Sequence, residues 1–162
     1  MSSETKSLKI FLLNGPNLNM LGVRNHAIYG KKTLAEIVRG LEKTAEHLNC
    51  EIASFQSNNE GELITWIQNA AHNKYDGIIF NPGGYTHTSV ALRDAVEIAR
   101  DLGVPTIEVH LSDIAKREHF RRTSLLSEEP SVVVKTIKGE GPLGYQLALE
   151  FLVNHIRNAP KI

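Results

Sequence analysis

The chain predicts an α/β fold in which a parallel sheet is buried between two layers of helices. Three observations lead there. Apolar, strand-like runs alternate with amphipathic helical patterns along all 162 residues. Three of those runs (Phe11-Leu12-Leu13, Ile78-Ile79-Phe80 and Val132-Val133-Val134) are near-continuously apolar, as strands covered on both faces are. No repeat, low-complexity stretch or linker divides the chain, so its five strand-like runs belong to one domain. An open sheet of that size is expected to be the flavodoxin-like three-layer sandwich, with five parallel strands in the order 2-1-3-4-5 and helices on both faces.

The elements follow in order. Residues 1–7 read as a flexible polar N-terminal tail. Leu8–Leu13 is the first strand; it contains Lys9 and is too short for a signal-peptide core or a membrane span. Asn14 to Gly30 is a 17-residue connection, against the usual 2–6 residues of a βα loop. Such a loop is functional or disordered. Leu18, Met20, Leu21, Ile28 and Tyr29 argue against disorder. Thr33-x-x-Glu36 is a capping box, and Leu34, Ile37, Val38, Leu41, Ala45 and Leu48 then keep one apolar face. Glu51–Gln56 is the second strand, followed by a helix carrying Leu63, Trp66, Ile67, Ala70 and Ala71. Gly77–Asn81 is the third. The next helix is entered through Thr88 and Ser89, carries Leu92, Ala95, Val96, Ala99 and Leu102, and ends near Gly103. Val104–His110 is the fourth strand. The charged run Asp113–Arg122 reads as a short exposed helix. Ser131–Lys138 is the fifth strand, and Leu143, Leu147, Ala148, Phe151 and Leu152 give the last helix. The domain is thus expected over 8–158, with a C-terminal tail over 159–162.

Lys plus Arg equal Asp plus Glu at 18 each, so no charge excess points to nucleic acid or a membrane surface. The single Cys50 cannot form an intrachain disulfide, which fits a reducing, cytoplasmic compartment. Phosphate loops of the GxxxxGK[ST] and GxGxxG kinds are absent, as are GxSxG and HExxH, and no metal set is expected.

In such a sheet ligands bind beyond the carboxyl ends of the strands. Polar residues collect there: Asn14-Gly15-Pro16-Asn17, then Gln56 to Glu60, Asn81 to Ser89, Glu108 to Ser112, and Gly139-Glu140-Gly141. Gly83 and Gly84 let backbone amides approach a ligand, and the following helix N-terminus favours an anion. Arg121 is a second polar anchor. Glu108 and His110 alternate on one strand and so point the same way; a carboxylate beside an imidazole fixes its tautomer and favours its protonated form. Arg24 and Tyr29 on the long loop pair a guanidinium with a phenol, which could make a base. The expected ligand is small, polar and anionic.

Six stretches in order carry a resemblance. They are NGPNLNMLG with Arg24 and IYG; QSNNEGELI; NPGGYTHTSVALRDA; IEVHLS; REHFR with Ser124 and Ser127; and GYQLAL. The chain resembles the type II 3-dehydroquinate dehydratases (type II dehydroquinases) from about Lys9 to Leu152. The resemblance implies a hydro-lyase that converts 3-dehydroquinate to 3-dehydroshikimate by anti elimination through an enolate, with no metal, organic cofactor or Schiff-base lysine. It implies a flavodoxin-like subunit in a homododecamer built from trimers. Tyr29 then resembles the base, with Arg24 favouring its phenolate, and Asn17 resembles the residue that binds the water stabilising the enolate. His110 resembles the acid, oriented by Glu108. Asn81, Gly83, His87, Leu111, Ser112 and Arg121 resemble substrate-binding positions, and Asp94 the acidic residue supplied to a neighbouring subunit's site. The long loop would be the catalytic lid.

The chain departs from the family's wording in two places. Asn25-His26 stand where Glu-Pro is common, and losing proline's restricted backbone is expected to loosen the lid. Asp113 replaces a common asparagine and is expected to add negative charge near the substrate. A non-catalytic small-anion or flavin-binding domain is the alternative. The residues leave open whether the reaction serves aromatic biosynthesis or quinate breakdown.

Overall fold

The strands all end on polar residues at one edge of the sheet. A computed structural model describes residues 5–160. Its strands are β1 (Leu8–Asn14), β2 (Cys50–Gln56), β3 (Gly77–Asn81), β4 (Thr106–His110) and β5 (Lys135–Lys138). They form one parallel sheet in the order β2-β1-β3-β4-β5. Register sets Asn14 beside both Gln56 and Asn81, and His110 beside Lys138. The expected flavodoxin-like order is therefore the observed one. The expected tails over 1–7 and 159–162 lie partly outside the described residues.

Five helical segments accompany the sheet: α1 (His26–Tyr29), α2 (Leu34–His47), α3 (Glu60–His72), α4 (Val90–Asp101) and α5 (Leu143–Asn158). Strand alternation divides the core in two. Ile10, Leu12, Ile79, Ile107 and Val109 pack with Ile37 and Leu41 of α2 and Leu149 and Leu152 of α5. Phe11, Leu13, Ile78 and Phe80 pack with Leu63 and Ile67 of α3 and Leu92 and Val96 of α4. Glu108 and His110 face opposite to Ile107 and Val109, toward the α3/α4 layer. The capping box forms as the sequence predicts: Thr33 accepts from the Glu36 amide at 3.2 Å, and Glu36 accepts from the Thr33 amide at 2.8 Å.

Three expectations need correction. The fifth strand starts at Lys135, not Ser131: Val132 and Val133 turn into the α3/α4 core, and the Ser131 hydroxyl donates to the Val133 carbonyl at 2.9 Å instead of leaving an extended run. The fourth starts at Thr106, because Pro105 has no N–H for the ladder. The charged segment 113–122 is two 3-10 turns, Ile114–Lys116 and His119–Arg121, rather than a helix. It has no apolar stripe: Ile114 is buried and Phe120 is 68% exposed.

Candidate active site

The loop after β1 and the loop after β3 are pressed together, and their contact shapes the site. Gly15 donates its N–H to the Asn81 carbonyl at 2.7 Å. A Cβ on Gly15 would lie 2.5 Å from the Pro82 carbonyl oxygen, and one on Gly83 (φ 58°) would lie 3.0 Å from the Pro16 carbonyl oxygen. Below them Tyr145, fully buried in α5, donates to Asn14 Oδ1 at 2.5 Å and accepts from Asn81 Nδ2 at 2.8 Å. Burial pushes the Tyr145 phenol well up, so it serves as a neutral strut. Asn81 Oδ1 in turn accepts from the Gly83 amide at 3.1 Å.

Over this floor lies a cavity of about 220 Å³. It is lined by all but two of the expected site residues. Asn17, Arg24 and Tyr29 come from the long loop, Asn81, Gly83 and His87 from the β3 loop, and His110, Leu111, Ser112 and Arg121 from β4 onward. The exceptions are Glu108, which stands buried behind His110, and Asp94, which is exposed on α4 outside its own chain's cavity. Arg24, Arg117 and Arg121 line the space together, and no carboxylate does. Glu118, outside the lining, pairs with Arg117 at 3.3 Å and Arg121 at 3.1 Å, and the positive lining that remains favours an anion.

Two details differ from the sequence reading. The expected helix N-terminus is not at the cavity. A 3-10 turn, Gly83–His87, intervenes, and Ser89 caps α4 by accepting from Leu92 at 2.9 Å. The Gly83 amide is also committed to Asn81, so positive charge at the site comes from guanidiniums.

The phenol and the guanidiniums meet. The Arg24 Cζ stands 3.9 Å from the centroid of the Tyr29 ring. Arg117 Nη1 donates to the Tyr29 oxygen at 3.3 Å and to the Ser112 hydroxyl at 3.1 Å. The hydrogen bond with Tyr29 raises the Arg117 pKa, keeping that group charged. Sequence reasoning quoted Arg117 but assigned it no role. Its signal is that it is the first of three arginines, with Arg121 and Arg122, in the polar run after β4.

His110 Nε2 donates to Glu108 Oε1 at 2.6 Å. Burial pushes the Glu108 carboxyl up, but the hydrogen bond and charge of His110, with bonds from Ser124 and Thr86, outweigh it and hold the group below the usual carboxylate range. With Nε2 given to the carboxylate, Nδ1 is the ring nitrogen available to a ligand. His87 Nδ1 donates to the Thr123 carbonyl at 2.7 Å, which leaves its Nε2 available.

The two departures in wording are accommodated locally. Asn25 caps α1 by accepting from the Ala27 amide at 3.1 Å, and His26 Nε2 donates to the Gly22 carbonyl at 2.7 Å. Both residues thus make local bonds that counter the expected loosening, and the His26 side-chain bond is one a proline there could not make. Asp113 caps the Ala115 amide at 3.1 Å, pairs with Lys116 at 3.6 Å and does not line the cavity. Its charge is spent on that turn, outside the cavity lining.

A sheet-edge cavity lined by a cation-flanked phenol and a carboxylate-backed imidazole carries the groups that acid–base chemistry on a small anion needs. The sequence model of the family "Dehydroquinase class II" matches residues 8–153. The chain is 45% identical over 151 residues to a 3-dehydroquinate dehydratase of Clostridium perfringens, covering 93% of this chain and 99% of that one. It is 52% identical over 140 residues to 3-dehydroquinate dehydratase 2 of Pseudomonas putida, covering 86% and 89%. The crystal structure of type II dehydroquinase from Butyrivibrio crossotus superposes with a TM-score of 0.84 at 42% identity, over 90% of this chain and 97% of that one. The chain belongs to the class II (type II) dehydroquinase family. Among the described residues no helix is long and apolar enough to cross a membrane.

Proposed function

We propose that this chain dehydrates 3-dehydroquinate to 3-dehydroshikimate by anti elimination through an enolate. Tyr29, as phenolate, takes the proton from the carbon between the ketone and the hydroxyl-bearing carbon. The electron pair moves onto the ketone oxygen to give the enolate, near Asn17. The enolate then re-forms the ketone and expels the hydroxyl, which leaves as water with a proton from His110 Nδ1. Exchange with solvent restores both groups. Splitting the elimination lets one base and one acid act in sequence.

The observation that carries this reading is the pairing at Tyr29. Arg24 stacks on its ring and Arg117 donates to its oxygen, so two guanidiniums stand where a base's negative charge would form. Glu108 behind His110 supports the complementary role of acid. The substrate carboxylate and hydroxyls would meet His87, Asn81, Gly83, Arg121 and the Leu111–Ser112 backbone and hydroxyl. The relatives' names supply the substrate, and the arginine-lined cavity is the chemical reason it fits.

The same reading has residues 8–158 as one catalytic domain in the cytoplasm, needing no cofactor. It also has trimers assembling into a homododecamer in which Asp94 reaches a neighbour's site. Exposed Val90 and Ile98 on α4, with Leu102 just past its end, support burial of that face by another copy. Formation of the conjugated enone by purified protein, followed in the ultraviolet with and without chelator, tests the activity. Tyr29→Phe should lower kcat by roughly 10²–10⁴-fold with binding largely retained. Full activity in that variant would reject Tyr29 as the base. A mass measurement tests the assembly; a monomer that is fully active would reject the role of Asp94.

A further inference from the structure

We propose that Thr86 and Ser124 are positioning residues for the acid: their hydroxyls hold the Glu108 carboxylate so that His110 keeps Nε2 inward and Nδ1 toward the cavity. This rests on the reading of His110 as the acid.

The geometry begins with a burial problem. Glu108 is 0% exposed, and a bare carboxylate there would be costly. Its Oε1 accepts from Thr86 Oγ1 at 2.5 Å, Ser124 Oγ at 2.6 Å and His110 Nε2 at 2.6 Å, while Oε2 accepts from Thr136 Oγ1 at 3.1 Å. Thr86 and Ser124 come from different loops, yet their hydroxyl oxygens are 2.7 Å apart. Oε1 and the two hydroxyls therefore form a closed triangle of oxygens with two hydroxyl protons to share among three edges. One edge is held without a proton.

What holds it lies outside the triangle. The Leu126 amide donates to Ser124 Oγ at 3.2 Å, and the Leu125 amide donates to the Thr86 carbonyl at 2.8 Å. Arg93 of α4 donates to the carbonyls of Leu125, Glu128 and Pro130. The loop that delivers Ser124 is thus pinned to the loop that delivers Thr86, and both are tied to the helix beneath. Packing alone needs no such arrangement; a carboxylate that must stay charged and aimed does.

The consequence is chemical. With the hydroxyls of Thr86, Ser124 and Thr136 sharing its charge beside His110, Glu108 leans less on a protonated imidazole than it would with His110 alone, so the imidazole gives its proton away more readily. Removing a hydroxyl leaves the carboxylate more dependent on the imidazole, and the pair grips its proton harder. An acid must be protonated to act, so activity falls as pH rises through the pair's titration. In a variant lacking a hydroxyl that falling limb moves to higher pH, and kcat drops. The other titratable and charged groups facing the pair are Arg24 and Tyr29 from the long loop, His87 from the β3 loop, and Arg117 and Arg121 from the turns after β4. Lys138 stands beside His110 on β5, while Tyr145 of α5 packs in the core on the opposite face of the sheet. None of these changes in the variants.

The test is the pH profile of kcat for Thr86→Val, which removes the hydroxyl at near-constant shape, and Thr86→Ser, which retains it. Thr86→Val should lose about 10-fold or more in kcat with little change in KM, and its falling limb should move up. Thr86→Ser should restore both. If Thr86→Val does not fold, Ser124→Ala carries the same measurement. A limb unmoved from wild type, however slow the variant, or no rescue by Thr86→Ser, overturns the proposal. Wild-type protein that makes no enone overturns the dehydratase reading instead, so the two failures are distinguishable.

Discussion

Arg117→Ala isolates the cation that touches the phenol. Its guanidinium bridges two oxygens, Tyr29 at 3.3 Å and Ser112 at 3.1 Å, from a position where hydrogen bonding to Tyr29 keeps it charged. Truncation removes one hydrogen bond to an oxygen that is negative when Tyr29 is ready to act. Hydrogen bonds to charged groups are worth about 1.5–3 kcal/mol, which corresponds to roughly 10- to 150-fold in rate. Arg24 remains 3.9 Å from the ring centroid, so activity should fall without vanishing. Arg117→Lys keeps the charge but not the planar fork, and should recover only part of the loss. The assay is enone formation under saturating and limiting substrate. A fall in kcat and kcat/KM together fits the reasoning. An unchanged kcat with a raised KM would refute it, because Arg117 would then bind ground state and transition state alike.

Further outcomes follow from the same geometry. Tyr145→Phe strands Asn14 Oδ1 and Asn81 Nδ2 in the core, at about 1–3 kcal/mol each, so thermal unfolding should drop by roughly 4–24 °C; a drop under about 2 °C would contradict the strut role. Gly15→Ala drives a Cβ to within 2.5 Å of the Pro82 carbonyl oxygen and should destabilise by about 1–3 kcal/mol in denaturant titration, with a raised KM as the two loops part. Glu108 has a depressed folded-state pKa, so its contribution to stability is present above the unfolded carboxyl value of about 4.3 and is lost as pH falls through the folded value. Glu108→Gln should therefore flatten the acid side of the stability–pH curve, and an identical curve would reject the ionised state.

Much of this was legible in the sequence for physical reasons. Apolar runs covered on both faces have few alternatives to a parallel sheet, and strand alternation put Glu108 and His110 on one side before any coordinates. The length of the Asn14–Gly30 loop marked it as functional. What stayed hidden depends on contacts between distant segments. Arg117 reaches Tyr29 across 88 positions, and Tyr145 reaches Asn14 across 131. Val132 and Val133 read as strand because burial in a helix layer and burial in a sheet leave the same apolar run. Ser124 reads as an ordinary polar loop residue until the fold brings it to Glu108. The helix start behind Gly83 and Gly84 reads as an anion site for a related reason. Two glycines before a helix resemble a backbone-amide site, but the Asn81 side chain takes the Gly83 amide and a 3-10 turn moves the helix start away.

The most direct measurement of the central claim is ultraviolet absorbance of purified wild-type protein and Tyr29→Phe mixed with 3-dehydroquinate, side by side. The account predicts steady enone formation by the wild type and a rate lowered by at least about 100-fold in the variant, with substrate still bound. No enone from the wild type, or equal rates from both, would contradict it.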